Sequence, residues 1–148
     1  MKNKWQLTHI SLIVRDIEQA IKYYESLGIG PFETPEDSGT IEGRTVHGKP
    51  APDVKNISKM ARLGPTKVAL VQPVSGQSVQ KEFLERHGEG IDHIGFRVDN
   101  LREETDKLAK KGFKVVSSGK SGDGGFNFFD TDKVGGFMIE LSQDPSNG

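Results

Sequence analysis

Hydrophobic and polar positions alternate with a period of two in three stretches of the chain. In LTHISLIV (residues 7–14), Ile10, Leu12 and Val14 share one parity, and His9, Ser11 and Ile13 share the other. In HIGFRV (93–98), Ile94, Phe96 and Val98 oppose His93, Gly95 and Arg97. In FMIELS (137–142), Phe137, Ile139 and Leu141 oppose Met138, Glu140 and Ser142. Successive side chains of a strand point to opposite faces, so each stretch predicts a strand with one apolar row and one mixed row. The full pattern predicts strands near 7–14, 31–35, 57–63, 66–72, 93–98, 113–117, 126–130 and 136–142. Helices are predicted near 17–27, 78–87 and 101–111.

The chain repeats itself. Superposing His9 on His93 aligns Ile10 with Ile94, Leu12 with Phe96, Val14 with Val98, Ile17 with Leu101 and Gly28 with Gly112. Asp16 and Asn100 fall at equivalent N-cap positions, and Gly28 and Gly112 suit the left-handed residue that closes a helix. Laying KVALVQP (67–73) on MIELSQDP (138–145) aligns Leu70 with Leu141, Gln72 with Gln143 and Ala69 with Glu140. The two superpositions differ in offset, which places an insertion in the first half. Its polar, Pro- and Gly-containing stretch 36–56 is expected to be a long surface loop or lid. Each half reads strand–helix–strand–strand–strand, giving an α+β protein of a single domain, 1–148. The first module spans 5–75, a linker helix lies in 76–89, and the second module spans 90–144. Apolar rows would pack against helices, and mixed rows would line the concave side of a curved sheet.

Composition narrows the class. The 148 residues suit one domain, and 18 glycines with 7 prolines suit short elements and many turns rather than a helical bundle. A net charge of −1 offers no basic field for nucleic acid or an anionic membrane. No apolar run approaches the ~20 residues needed to span a bilayer, and MKNKWQLTH lacks a secretory core, so a cytoplasmic location is expected. With no cysteine, disulfide frameworks and thiolate zinc sites are excluded.

The mixed rows carry the candidate chemistry. Two histidines at equivalent repeat positions, His9 and His93, share a face with Glu140, a carboxylate inside an apolar strand. Burying a lone carboxylate is costly, and no lysine or arginine lies next to it on the strand. Two neutral imidazoles and one carboxylate would compensate one another through a divalent metal ion: Co, Mn, Ni, Zn or Fe. Arg97 shares the predicted face of His93 and is a candidate for binding a substrate carboxylate or phosphate. His47, in GRTVHGKP, would bring a further ligand only if its loop folds over the cup. His87 ends the linker helix, where a cation suits the helix dipole. SSGKSGDGGFN matches no phosphate-binding template and reads as a hairpin at the rim. Tyr23, Tyr24 and Leu27 fit a helical packing stripe.

THISLIVRDIEQAIKYYESLGIGPFE, QPVSGQSVQKEFLERHGEGIDHIGFRVDNL and GGFMIELSQ together resemble the vicinal-oxygen-chelate superfamily, which includes glyoxalases, bleomycin resistance proteins and extradiol dioxygenases. Within it they are most similar to the methylmalonyl-CoA epimerase-like proteins. The resemblance implies two βαβββ modules forming a curved mixed sheet around a metal-binding cup, commonly in a homodimer. It implies four ligands, which fall on His9, His93, Glu140 and the position held by Ala69, which cannot ligate. Gln72 has the wrong parity to substitute. It implies epimerase or isomerase chemistry through a metal-stabilised enolate of an acyl thioester, possible acyl-CoA substrates, and Glu140 as ligand or base. A carboxylate base from the first module is also implied. No Asp or Glu lies between Asp53 and Glu82, so that base is missing or comes from Glu36, Asp37, Glu42 or Asp53. With only three ligands, an Fe(II) extradiol-type dioxygenase or glyoxalase-like lyase is one alternative. A non-catalytic binding protein of the same fold is the other.

Overall fold

The strand-to-helix turn is built the same way in both halves of the computed structural model, which describes residues 3–35 and 41–146. Strand β1 (Gln6–Ile13) leads into α1 (Ile17–Ser26), and β6 (Gly90–Arg97) into α3 (Leu101–Lys110). The Asp16 carboxylate accepts from Gln19 N at 3.1 Å, and the Asn100 side chain from Glu103 N at 3.0 Å. The repeated glutamines complete the caps. Gln72 Oε1 accepts from Ile17 N and Gln143 Oε1 from Leu101 N, both at 2.9 Å. Each therefore satisfies an N–H that the first turn of a helix leaves unpaired. Gly28 (φ 90°) and Gly112 (φ 93°) close the two helices in the left-handed region, where a Cβ is strained.

The remaining elements are β2 (Glu42–Val46), β3 (Lys49–Pro50), β4 (Lys55–Leu63), β5 (Thr66–Ser75), α2 (Val79–His87), β7 (Val115–Ser121), β8 (Gly124–Phe129) and β9 (Met138–Gln143). One curled sheet runs β3-β2-β7-β8-β9-β6-β1-β5-β4. The antiparallel pair β1/β6 sits at its centre, flanked by the parallel pairs β1/β5 and β6/β9, so the modules meet through their first strands.

The apolar rows pack as expected on the outer face. Val14, Ile17 and Leu70 gather Leu12, Ile21 and Tyr24 around α1, and Val98, Leu108, Phe129 and Leu141 gather Phe96 and Ile139 around α3. Tyr23 and Leu27 do not join that core and are 63% and 62% exposed. Adjacent residues lie about 100° apart on a helix, so Tyr24 goes inward while Tyr23 stays outside, edge-on to it at 5.2 Å.

Two further expectations are corrected. Residues 31–35 form no strand beyond a single bridge, Glu33 to Met60. The segment 36–56 is no simple loop. Residues 36–40 lie outside the described residues, but 42–46 and 49–50 form a hairpin whose β2 pairs with β7 of the other module. That pairing satisfies the backbone edge β7 would otherwise leave open, and Thr45 Oγ1 meets Ser118 Oγ across it at 2.7 Å. Val46, Ala51 and Val54 then bury against Phe128, Met138 and Val79, while Phe83 and Leu84 cover Ile13, Ala69 and Val71. Helix α2 and the insertion thus fill one end of the concave face with core.

Candidate metal centre

Register lines up the concave face in rows. Lys67, His9, Gly95, Glu140 and Phe128 are successive cross-strand partners over β5, β1, β6, β9 and β8. The neighbouring row runs Ala69, Ser11, His93, Met138. His9, His93 and Glu140 therefore converge because the two modules abut through the strands that carry the histidines.

The register of β1 against β6 slips twice, once at Thr8 and once at Asp92, each time one residue before a histidine. These are β-bulges, which insert an unpaired residue and re-aim its neighbours. Thr8 Oγ1 lies 2.9 Å from His9 Nδ1, and Asp92 Oδ2 lies 2.8 Å from His93 Nδ1. With both Nδ1 atoms engaged, both Nε2 atoms face the cup. Strict alternation hides these residues from a sequence reading. The signal was a polar residue before each histidine, in THI and DHI.

The central geometry is tight. His9 Nε2 and His93 Nε2 are 3.0 Å apart, and Glu140 Oε1 lies 3.3 Å from the first and 3.5 Å from the second. Donors bonded at ~2.1 Å to one ion and separated by ~90–110° stand about 3.0–3.5 Å from each other, so the three atoms fit a divalent metal. The chemistry of the set, two imidazoles and one carboxylate, fits as well. His93 is 5% exposed and Asp92 fully buried. Gly95 opens the space for His9: a Cβ there would lie 2.7 Å from His9 Nδ1. Phe128 stands edge-on to His93 at 4.7 Å and walls the other side.

Burial works against a charged imidazole at His93, but the Asp92 carboxylate and then Glu140 outweigh it and push its pKa up to about 10. Burial likewise opposes the charged form of Glu140, yet hydrogen bonds from His9 and His93 hold it down at about 2. Without metal, the cluster keeps a proton where an ion would sit.

Ala69 is buried among Ile13, Val71 and Met60 and supplies no donor. Ser11, its partner in the row, is fully buried with an unpaired hydroxyl. Gln72 is occupied by its helix cap. Arg97 lies on the concave face beyond Gly95, with its Nε 3.1 Å from Asp144 Oδ2. His47 turns between β2 and β3 and bonds Glu82 at 2.8 Å, away from the trio, and His87 stacks on Phe83 at 4.8 Å. Of the base candidates, Glu36 and Asp37 lie outside the described residues, and Glu42 and Asp53 are exposed. Among the described residues, His9, His93 and Glu140 form the one group of three or more such side chains placed to hold a metal ion. No described helix is long and apolar enough to cross a membrane.

Residues 8–129 match the profile of the glyoxalase/bleomycin resistance protein/dioxygenase superfamily. The chain is 27% identical over 145 residues to the mitochondrial methylmalonyl-CoA epimerase of Bos taurus, covering 95% of this chain and 75% of that protein. It is 26% identical over 143 residues to the ethylmalonyl-CoA/methylmalonyl-CoA epimerase of Cereibacter sphaeroides, covering 93% and 97%. In fold it is similar to the crystal structure of methylmalonyl-CoA epimerase from Mycobacterium tuberculosis, with a TM-score of 0.65 at 24% identity over 99% of this chain and 93% of that one.

Proposed function

Because the chain belongs to the glyoxalase/bleomycin resistance protein/dioxygenase superfamily, we propose that it is a metal-dependent epimerase or isomerase acting on an acyl thioester or a related carbonyl compound. The observation that carries this reading is the convergence of His9 Nε2, His93 Nε2 and Glu140 Oε1 within 3.5 Å of one another. The epimerases among the relatives support the reaction class. A divalent ion held by these three residues would supply Lewis acidity at a carbonyl oxygen, lowering the pKa of the neighbouring C–H.

The chain's own residues do the rest. Thr8 and Asp92 fix the two rings, so no reorganisation is needed when the ligands are used. Phe128 and the core beneath His93 exclude water from one side of the centre. Glu140 is the carboxylate at the centre and serves as ligand, with proton transfer at Oε1 or Oε2 open to it. Arg97, at the rim, takes an anionic group of the substrate by exchanging its contact with Asp144.

The test is α-proton exchange. Purified protein, metal content determined, is incubated with methylmalonyl-CoA in D₂O. Solvent deuterium entering C2 with interconversion of the epimers supports the reading, and its loss in His93→Ala ties it to the trio. Metal-loaded protein that leaves C2 protonated sinks it.

Ala69 favours a second reading. Two imidazoles and one carboxylate with no fourth protein donor are also the ligand set of non-haem Fe(II) oxygenases. Iron in the purified protein, with oxygen consumption on a catechol, would select it.

A further inference from the structure

The curled sheet brings its two ends together. The chain passes from β3 through residues 51–54 straight into β4, and a cavity of about 600 Å³ lies at the seam. It is lined by Gly43 and Arg44 of β2, Pro50 of β3, Lys55, Asn56 and Ile57 of β4, and Val74 of β5. Nothing in the metal centre lines it. Three large apolar side chains are left uncovered here: Ile41, Ile57 and Val74 are 36%, 42% and 53% exposed.

Two polar side chains of the seam, Arg44 and Asn56, lack partners among the described residues. Arg44 is half-buried, and no carboxylate among the described residues pairs with it. Its guanidinium lies over the Phe126 ring at 5.6 Å, and burial lowers its pKa with no anion among the described residues to offset it. A desolvated cation without a counter-charge is costly, and the ring compensates only partly. Asn56 Oδ1 is buried and unpaired on the same wall.

We propose that the seam is a binding site for an amphiphilic anion. A carboxylate or phosphate monoester sits on Arg44 and Lys55, an apolar chain lies along Ile41, Ile57 and Val74, and a polar group of that chain meets the Asn56 amide. Two sources share this chemistry: a free amphiphilic acid, or the tail of the molecule converted at the metal centre. The second rests on the proposed function and has a structural basis. Arg44 covers Phe126, Phe126 meets Phe128 edge-on at 5.5 Å, and Phe128 meets His93 at 4.7 Å, so the seam and the trio share one aromatic wall.

Octanoate and hexyl phosphate are the probes, titrated by calorimetry into the full chain. One probe per chain should bind saturably, at least tenfold more weakly in Arg44→Gln, and with Arg44→Lys retaining most of the affinity. His93→Ala should leave binding unchanged, so the seam stands or falls separately from the trio. Competition between the bound probe and acyl thioester exchange identifies the substrate's tail, and binding without competition identifies a free ligand. Failure of both probes to saturate, or equal binding by Arg44→Gln and Arg44→Lys, overturns the proposal. So does a dimer interface that buries Ile57 and Val74 without any probe.

Discussion

Asp92 holds His93 by its Nδ1 at 2.8 Å, and it reaches that atom because Asp92 is the extra residue of a bulge. Its second oxygen, Oδ1, is buried and makes no hydrogen bond, so the carboxylate is committed to the histidine. An outer carboxylate fixes ring orientation and strengthens a ligand, and its loss typically costs ~10–100-fold in metal affinity. Asp92→Asn should weaken metal binding by that factor, and Thr8→Val by less, because a hydroxyl gives His9 a neutral partner. Competition with a chelating dye measures both. Equal losses would contradict the asymmetry.

Gly95→Ala should empty the site without unfolding the chain. The new methyl group would lie 2.7 Å from His9 Nδ1 and 2.9 Å from Nε2, too close for the ring to keep its place. Gly95 is in a strand of ordinary backbone conformation, so the substitution strains only the ring. Metal content should fall well below one ion per chain while far-UV circular dichroism is retained.

The metal-free protein should have a characteristic pH profile. His93 is raised to about 10 from an unfolded value near 6.5, so its stabilisation is complete below pH 6.5 and is lost as pH rises through about 10. Glu140 is held at about 2 against 4.5, so its contribution is present above pH 4.5 and is lost as pH falls toward 2. Urea midpoints should be highest between pH 4.5 and 6.5 and decline on both sides. An ion binding at neutral pH must displace the proton on His93, so affinity should rise up to ~tenfold per pH unit. Calorimetry in buffers of different ionisation enthalpy counts the released proton.

The two glutamines should behave as a pair. Gln72→Ala and Gln143→Ala each leave a helix N–H without its 2.9 Å acceptor, at a cost of about 1 kcal/mol. The two sites serve separate helices, so the double variant should lose the sum, read from urea denaturation.

Ala69→Glu should trade stability for metal affinity. The side chain enters a packed cluster of Ile13, Val71, Met60, Phe83 and Leu84, and overpacking costs ~1–3 kcal/mol. The same change places a carboxylate in the row of His93, across Ser11 from it, at the repeat position of Glu140. The metal-free variant should melt lower than the parent and recover more on adding metal. No recovery would show that Ser11 and its neighbours leave a ligand no room.

The repeat made much of this protein legible. Period-two alternation separated the outer rows from the mixed ones, because a strand's geometry assigns faces from parity alone. Equivalence of His9 with His93, and of Ala69 with Glu140, marked the candidate centre and the repeat position that carries no donor. Asp16, Asn100, Gly28 and Gly112 declared the helix ends through local backbone chemistry.

Tertiary structure decided what alternation cannot express. A bulge breaks the parity rule, so Thr8 and Asp92 became visible as supports of the histidines only once β1 and β6 were paired. The segment 42–50 carries turn-forming residues and reads as a loop, but a strand edge left open in the other module recruits it into the sheet. Parity put Gln72 on the face opposite the site, the repeat aligned Gln143 with it, and only packing showed both capping helices. The sequence by itself determined the modules and marked the candidate ligands, since those follow from local periodicity and the repeat. Which strand pairs with which edge, and therefore the seam beside Arg44, depends on contacts between residues distant along the chain.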